Sequence, residues 1–531
     1  MDIETALSDW QLLLGAQQVV RAEAAQSMYG VDASAIKRTI PAALRITDAA
    51  LLPEVMRIAQ RHQVPVYPIS TGHNWGYGTA LPAQNNCVIL DLSMLQKILH
   101  FDAEFGVVTL EPGVTQGMLA DFLDNGNHPY LVPVTGAGPT CSLLANALER
   151  GYGVTPHTDH FGAVTDLEAV LADGTLYKTA LREAGGEELA RLFKWGIGPY
   201  SAGLFTQSGF GVVTRMTIAL ARRPECVKVC LFSLKDDAYL EPAVTRIRSI
   251  LTRLHGTVGA VNLMNQHRVL AMSIPFPADR LDSAGLIPLP VVEELGRQYQ
   301  IFPWTGFGTL YGTNRMVAAA QKEIRTALKG IASRLIFLSL NQARTIASVA
   351  KWIPGPMGQR LASTTATLAQ SLELVGGRPN ETALPLAYWR NPVPPTGQWR
   401  DPARDGCGLI WYAPLVPMSP TYVRNYANMV KRLALQYGME PLITFTSISD
   451  KLFDSTVPLI FDRADPAAAE AAMACYKDLL TTGKSLGYFP YRVGVSAMEL
   501  LSHEQVHAKA FHARLRASLD PSNILSPGRY Q

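Results

Sequence analysis

Cysteine and net charge are both scarce in this chain. Its 531 residues include 6 Cys, and 47 Lys+Arg stand against 44 Asp+Glu, a formal charge of +3. Disulfide scaffolds are short and Cys-dense, so Cys87, Cys141, Cys226, Cys230, Cys407 and Cys475 read as buried thiols. The Cys226/Cys230 pair has no second Cys or His pair at ligand spacing, which argues against zinc. So slight a charge, with no Lys/Arg block, offers no basic face for nucleic acid. No stretch approaches the roughly 20 apolar residues of a membrane span, and the start MDIETALSDWQ is acidic where a secretory signal is basic. The expectation is a cytoplasmic protein whose partners are small molecules.

The familiar nucleotide and nucleophile fingerprints are also missing. Gly136-Ala137-Gly138 lacks the third glycine of the dinucleotide pattern, and Gly306-Phe307-Gly308 spaces it wrongly. There is no Walker lysine motif and no G-x-S-x-G elbow. A nicotinamide-dependent Rossmann enzyme and a serine hydrolase both lose their main support.

What is present is a long chain, 48% hydrophobic and 17% charged, with 42 Gly and 35 Pro, the composition of a globular enzyme with many turns. At about 150 residues per domain it should divide into two or three units. A helical period of apolar residues runs from Thr47 to His62, with Thr47 or Asp48 as its cap. VPVYPIS, CVILDLS and GVVTLEPG read as strands, while VTQGMLADFLDNG and SLLANALERG read as helices ending at glycine. LEAVLADGTLYKT is a hairpin turning at Asp173-Gly174. Up to about Leu220 the unit is mixed, without regular strand-helix alternation. Beyond it come longer helices in YLEPAVTRIRSILTRLHG and TYVRNYANMVKRLALQYG. Loops such as KWIPGPMG and YWRNPVPPTGQWRDPARDG suggest a second domain with a long surface excursion.

Three glycine-bearing loops stand out: PISTGHNWGYGTALP, VTGAGPTCSLLANALERGYGVTPHTDH and GIGPYSAGLFTQSGFGVVT. Successive backbone N–H groups in such loops, with the helix start after Gly138, can bind a pyrophosphate without lysine. That chemistry suits a dinucleotide held outside a Rossmann fold.

With DPSNILSPGRY at the carboxyl end, these segments occur in the order found in the flavoprotein family of vanillyl-alcohol oxidase, para-cresol methylhydroxylase and eugenol oxidase, which the chain resembles over nearly its whole length. The resemblance implies an α+β, two-domain FAD-linked oxidase fold. Residues 1–222 and 485–531 would form the FAD domain, and residues 223–484 an inserted substrate cap. It also implies an FAD site made by Thr71, Gly72, His73, Asn74 and Gly76 of the first loop and by Gly138, Pro139, Thr140, Cys141, Asn146 and Gly151 of the second. Val213 and Arg529 complete it.

His73 is placed for its imidazole to attack the flavin C8 methyl group and form a covalent link, as a His following Gly does in berberine-bridge-type flavoproteins. Vanillyl-alcohol oxidase takes its linking His from the cap segment resembling CGLIWYAP, where this chain has Leu409. The tether therefore moves to His73 or is absent. Cys141 invites a second link if the helix start activates its thiol; a small buried thiol is the plainer reading.

Tyr77, Tyr491 and Arg492 match the family's phenolate-binding set: two hydroxyl donors and a permanent cation stabilise phenolate, whose electrons expel hydride from the para-benzylic carbon to flavin N5. Asp159 matches the family's acid near N5, expected in a desolvated pocket with a perturbed pKa. A metal bound by His157, Asp159 and His160 is disfavoured, because adjacent residues on a strand point apart. Expected partners are a small substrate and oxygen or another electron acceptor. The resemblance further implies self-association as a homodimer, for which the sequence has no sign of its own. Two rivals are an oxidase of a non-phenolic alcohol or amine from natural-product metabolism, and a non-catalytic flavin-binding subunit.

Overall fold

In the computed structural model, residues 2–350, 352, 366–502 and 506–531 are described. Asp48 accepts the Ala50 N–H at 3.0 Å in a short 3₁₀ turn, after which the helix Leu52–Arg61 buries Val55, Met56, Ile58 and Ala59. It packs over a four-stranded sheet in which Val66–Ile69 and Ala42–Arg45 run parallel to Val88–Asp91. Full burial of all four residues of Val88–Asp91 is what a parallel strand covered on both faces requires. A second sheet of five antiparallel strands holds Val107–Leu110, Val212–Ala219 and the hairpin Val164–Val170/Leu176–Lys178, whose turn places Gly174 at φ +82°.

The chain's far end returns to this first body. Val66 N–H donates to Ile524 C=O at 2.8 Å and Ser526 N–H to Val66 C=O at 2.8 Å, so the closing segment lies beside the strand that feeds the first glycine loop.

Between Cys226 and Asp462 an eight-stranded antiparallel sheet is backed by helices including Leu240–Arg253, Pro420–Gln436 and Pro466–Ser485. Trp304, Tyr426, Phe445 and Phe453 fill the interface without solvent exposure. This is the two-domain α+β arrangement.

Two local expectations change. The helix Leu143–Leu148 ends before its glycine, and the left-handed residue is Arg150 at φ +53° rather than Gly151. Gly151 is required for another reason, since a Cβ there would overlap the Asn146 side chain. The surface excursion is shorter than 388–406: residues 392–399 are exposed, but Tyr388 and Trp389 are buried, and Trp389 Nε1–H donates to Ile274 C=O at 3.0 Å. KWIPGPMG, apart from Trp352, lies outside the described residues.

Candidate active site

A cavity of about 440 Å³ lies between the two bodies. Its lower wall is Pro68–Trp75 and Tyr77 with Thr135–Ala137, Cys141, Asn146 and Val213; its upper wall includes Arg268, Leu384, Leu386, Leu409, Trp411 and Thr456 from the cap. The first loop reaches it by a sharp turn, in which Gly76 takes φ +77° and passes against Trp411, so that a Cβ would overlap the indole. Trp411 N–H donates to Gly76 C=O at 3.2 Å, joining loop to cap strand.

The fit to FAD rests on unpaired donors. The amides of Thr71, Gly72 and His73 donate to no protein group among the described residues, yet all three residues line the cavity. Buried N–H groups demand acceptors, and a row of them is what a pyrophosphate supplies with oxygens. Arg529 lies in the same wall, bonded to Tyr67 Oη at 2.6 Å and Ser208 C=O at 3.1 Å and ion-paired with Glu149.

His73 stacks on Trp75 with centroids 4.9 Å apart, and its Nδ1 lies 3.1 Å from Thr140 Oγ1. Burial lowers its pKa, keeping the imidazole neutral. Asn146 and Val213 line the cavity, and Asn146 bonds His160. Gly76, Gly138, Pro139, Thr140 and Gly151 stand behind the wall. Thr140 steadies His73, and the Pro139 carbonyl accepts from Gly117 N–H at 2.9 Å.

Cys141 follows its plainer reading, not that of a second flavin link. Its Sγ–H donates to Ala137 C=O at 3.1 Å and burial pushes the thiol up to about 12, so a buried protonated thiol replaces an activated thiolate.

Tyr77 and Arg492 come together, the guanidinium carbon 4.3 Å from the ring centroid, and Arg492 also bonds Asn74 Oδ1 and lies 3.7 Å from Glu149. Tyr491 adjoins them behind the wall, its ring edge-on to Tyr152 at 5.5 Å and its carbonyl accepting from Gln207 Nε2 at 3.0 Å. Burial raises the pKa of both Tyr77 and Tyr491, so both hydroxyls stay protonated donors.

Asp159 does not join them. It is exposed, its carboxylate accepting Gly162 N–H at 2.8 Å, rather than desolvated in the cavity; the neighbouring His160 is the buried one. The buried carboxyl beside the tyrosines is instead Asp454, 5% exposed, with Oδ1 lacking any partner and its pKa raised to about 7 by burial against the opposing pull of Arg492. Asp454 and Thr456 on the strand Leu452–Asp462, and Arg268 on the helix Gln266–Ser273, carry no sequence signal, because each reaches the site through the packing of the cap; Trp411 lay within CGLIWYAP but without a role. Glu149 sat inside a recognised motif, and its charge partners were the only missing information.

The fold and these donors define an FAD-linked oxidoreductase. A family model described as FAD binding domain matches residues 40–180. The chain is 34% identical to 1'-carboxy-chondrochloren decarboxylase of Chondromyces crocatus, over 99% of this chain and 97% of that one. It is 28% identical to the hydroxylating 4-cresol dehydrogenase flavoprotein subunit of Pseudomonas putida, over 92% and 87%. Substrate-bound p-cresol methylhydroxylase superposes with a TM-score of 0.86 at 26% identity, covering 99% of this chain and 96% of that one. The 4-ethylphenol oxidase of Gulosibacter chungangensis matches in fold, with a TM-score of 0.88 at 22% identity over 99% and 97%. The chain belongs to the vanillyl-alcohol oxidase-type family and is an FAD-dependent oxidoreductase.

Proposed function

We propose that the protein oxidises a para-substituted phenol at its benzylic carbon, with FAD tethered through His73 and with the flavin domain drawn from residues 1–222 and 485–531 around a cap of 223–484. FAD, when bound, accepts the hydride and passes electrons to oxygen or another acceptor. The observation that carries this reading is the Arg492 guanidinium against Tyr77 in the cavity wall, with Tyr491 adjoining. A free phenol has a pKa of about 10. A fixed cation and protonated tyrosyl donors favour its anion, and the anion's ring electrons assist hydride departure. Asp454, uncharged below about pH 7, leaves the Arg492 charge to the phenolate. The names of the 4-cresol and 4-ethylphenol enzymes support the same substrate class.

His73 suits the tether through its neutral state and its place in the wall. In the tautomer whose Nδ1–H donates to Thr140 Oγ1, the Nε2 lone pair is available for bond formation. Asp159 is assigned no proton transfer, since it stands outside the cavity.

The test is anaerobic mixing of holoenzyme with 4-ethylphenol, 4-hydroxybenzyl alcohol and their O-methyl ethers. Bleaching by the phenols and not the ethers is expected, and Arg492→Met should slow it by about 10²-fold or more. Equal bleaching by ethers or by non-phenolic alcohols and amines would favour the natural-product rival instead.

A further inference from the structure

Three arginines line the cavity, and two are spoken for. Arg529 is held by Glu149, Tyr67 and Ser208, and Arg492 by Asn74 and Glu149. Arg268 differs: among the described residues its solvent-shielded Nε and Nη1 meet no acceptor, and no carboxylate pairs with it. Glu149 is the one carboxylate among the described residues of the wall, and it is already shared. A shielded guanidinium without a counter-ion is unfavourable, and burial alone pulls the Arg268 pKa below its usual value.

The position of Arg268 says which ligand would satisfy it. It lies in the cap helix Gln266–Ser273, whose start is fixed by Asn265 Oδ1 accepting the Arg268 N–H at 3.1 Å. Its guanidinium carbon is 5.7 Å from the Trp411 ring centroid, and Trp411 packs on Gly76, one residue before Tyr77. Arg268 and Arg492 thus flank the same short loop, one from the cap and one from the segment closing on the tyrosines. Apart from Arg268 and Thr456, the cap side of the wall is apolar, with Leu386, Ala387, Leu409 and Trp411 among its residues. One planar fork in apolar surroundings suits a carboxylate, which it meets with two parallel hydrogen bonds; a phosphate dianion calls for more donors.

Resting on the phenol reading above, we propose that Arg268 forms a second anchoring subsite, one that binds a carboxylate carried on the substrate's para side chain. The preferred substrate is then an anionic phenol, held at its oxygen by Tyr77 and Arg492 and at its far end by Arg268.

The experiment compares 3-(4-hydroxyphenyl)propanoate with its neutral, near-isosteric amide, using holoenzyme and rapid anaerobic mixing so that the dissociation constant and the limiting bleaching rate are read separately. Wild type should bind the acid at least about tenfold more tightly than the amide, the size of a charge-assisted hydrogen bond. Arg268→Met should abolish that preference while amide binding changes little, and Arg268→Lys should restore part of it. The flavin absorption of the ligand-free variants should match wild type. Equal affinity for acid and amide in wild type overturns the proposal, and that measurement needs no variant to fold. A shifted flavin spectrum or lost flavin in Arg268→Met, with the preference intact, would assign Arg268 to the cofactor and also overturn it. If neither phenol perturbs the wild-type flavin, the phenol reading itself has failed, an outcome distinct from binding without preference.

Discussion

At the scale of single residues, the site is organised by charge taken out of water. Glu149 holds Arg529 and Arg492 together, and Arg492 in turn faces Tyr77, so one buried carboxylate orders two cations that belong to sequence-distant segments. His73 is tuned the opposite way, kept neutral by burial and braced by Thr140 and Trp75. A neutral imidazole retains the lone pair that a protonated one lacks, which is the condition for forming a bond to carbon. Acid precipitation of purified wild type is therefore expected to give a yellow pellet and that of His73→Ala a colourless one, judged by pellet absorbance. A yellow pellet from the variant would move the tether elsewhere. With its thiol pushed up to about 12, Cys141 is not expected to hold the pellet's colour in the variant.

At the scale of elements, the loop 68–82 works because two neighbours fix it: the cap strand Cys407–Tyr412 lies on one side and the closing segment on the other. Val495 N–H donates to Tyr77 C=O at 3.0 Å, and Trp411 N–H to Gly76 C=O at 3.2 Å. Gly76→Ala would strain a left-handed residue and push against the Trp411 ring at once. The expected cost is about 1–3 kcal/mol of stability, together with a reduced flavin-to-protein ratio; denaturant unfolding and flavin absorbance check the two effects separately. Most elements near this loop were legible, because short apolar runs bounded by Gly and Pro have few alternatives. The end of Leu143–Leu148 was not: Arg150 adopts the left-handed turn, with its guanidinium on Thr206 Oγ1 at 3.0 Å, a partner 56 residues away. The burial of Tyr388 and Trp389 at the start of the 388–406 loop was hidden likewise, since Pro and Gly spacing reports turns and not what they fold against.

At the scale of the whole molecule, Asp454 shows how assembly of distant segments sets protonation. It lies on the strand Leu452–Asp462 of the cap sheet, and its field reaches Tyr77 near one chain end and Tyr491 near the other. Its folded pKa of about 7 stands above the usual aspartate value of 3.8, so the folded state binds the proton more tightly than the unfolded chain. The stability that proton confers is complete below about pH 4, falls as pH rises to about 7, and is gone above. Asp454→Asn should flatten that slope, leaving the melting temperature at pH 4 nearly unchanged and raising it at pH 8. Calorimetry from pH 4 to 8 checks this, and an unchanged slope in the variant would place the proton elsewhere.

The sequence by itself determined the family, the glycine loops that present unpaired amides, and the Tyr and Arg residues proposed to bind the phenol, because those features are local or travel in ordered motifs. Tertiary structure alone decided that Asp159 faces solvent, that Asp454 becomes the buried acid and that Arg268 stands without a counter-ion among the described residues. Each of those outcomes depends on which distant segments pack over the residue and take it out of water or leave it there, and that is not written in the order of residues along a chain.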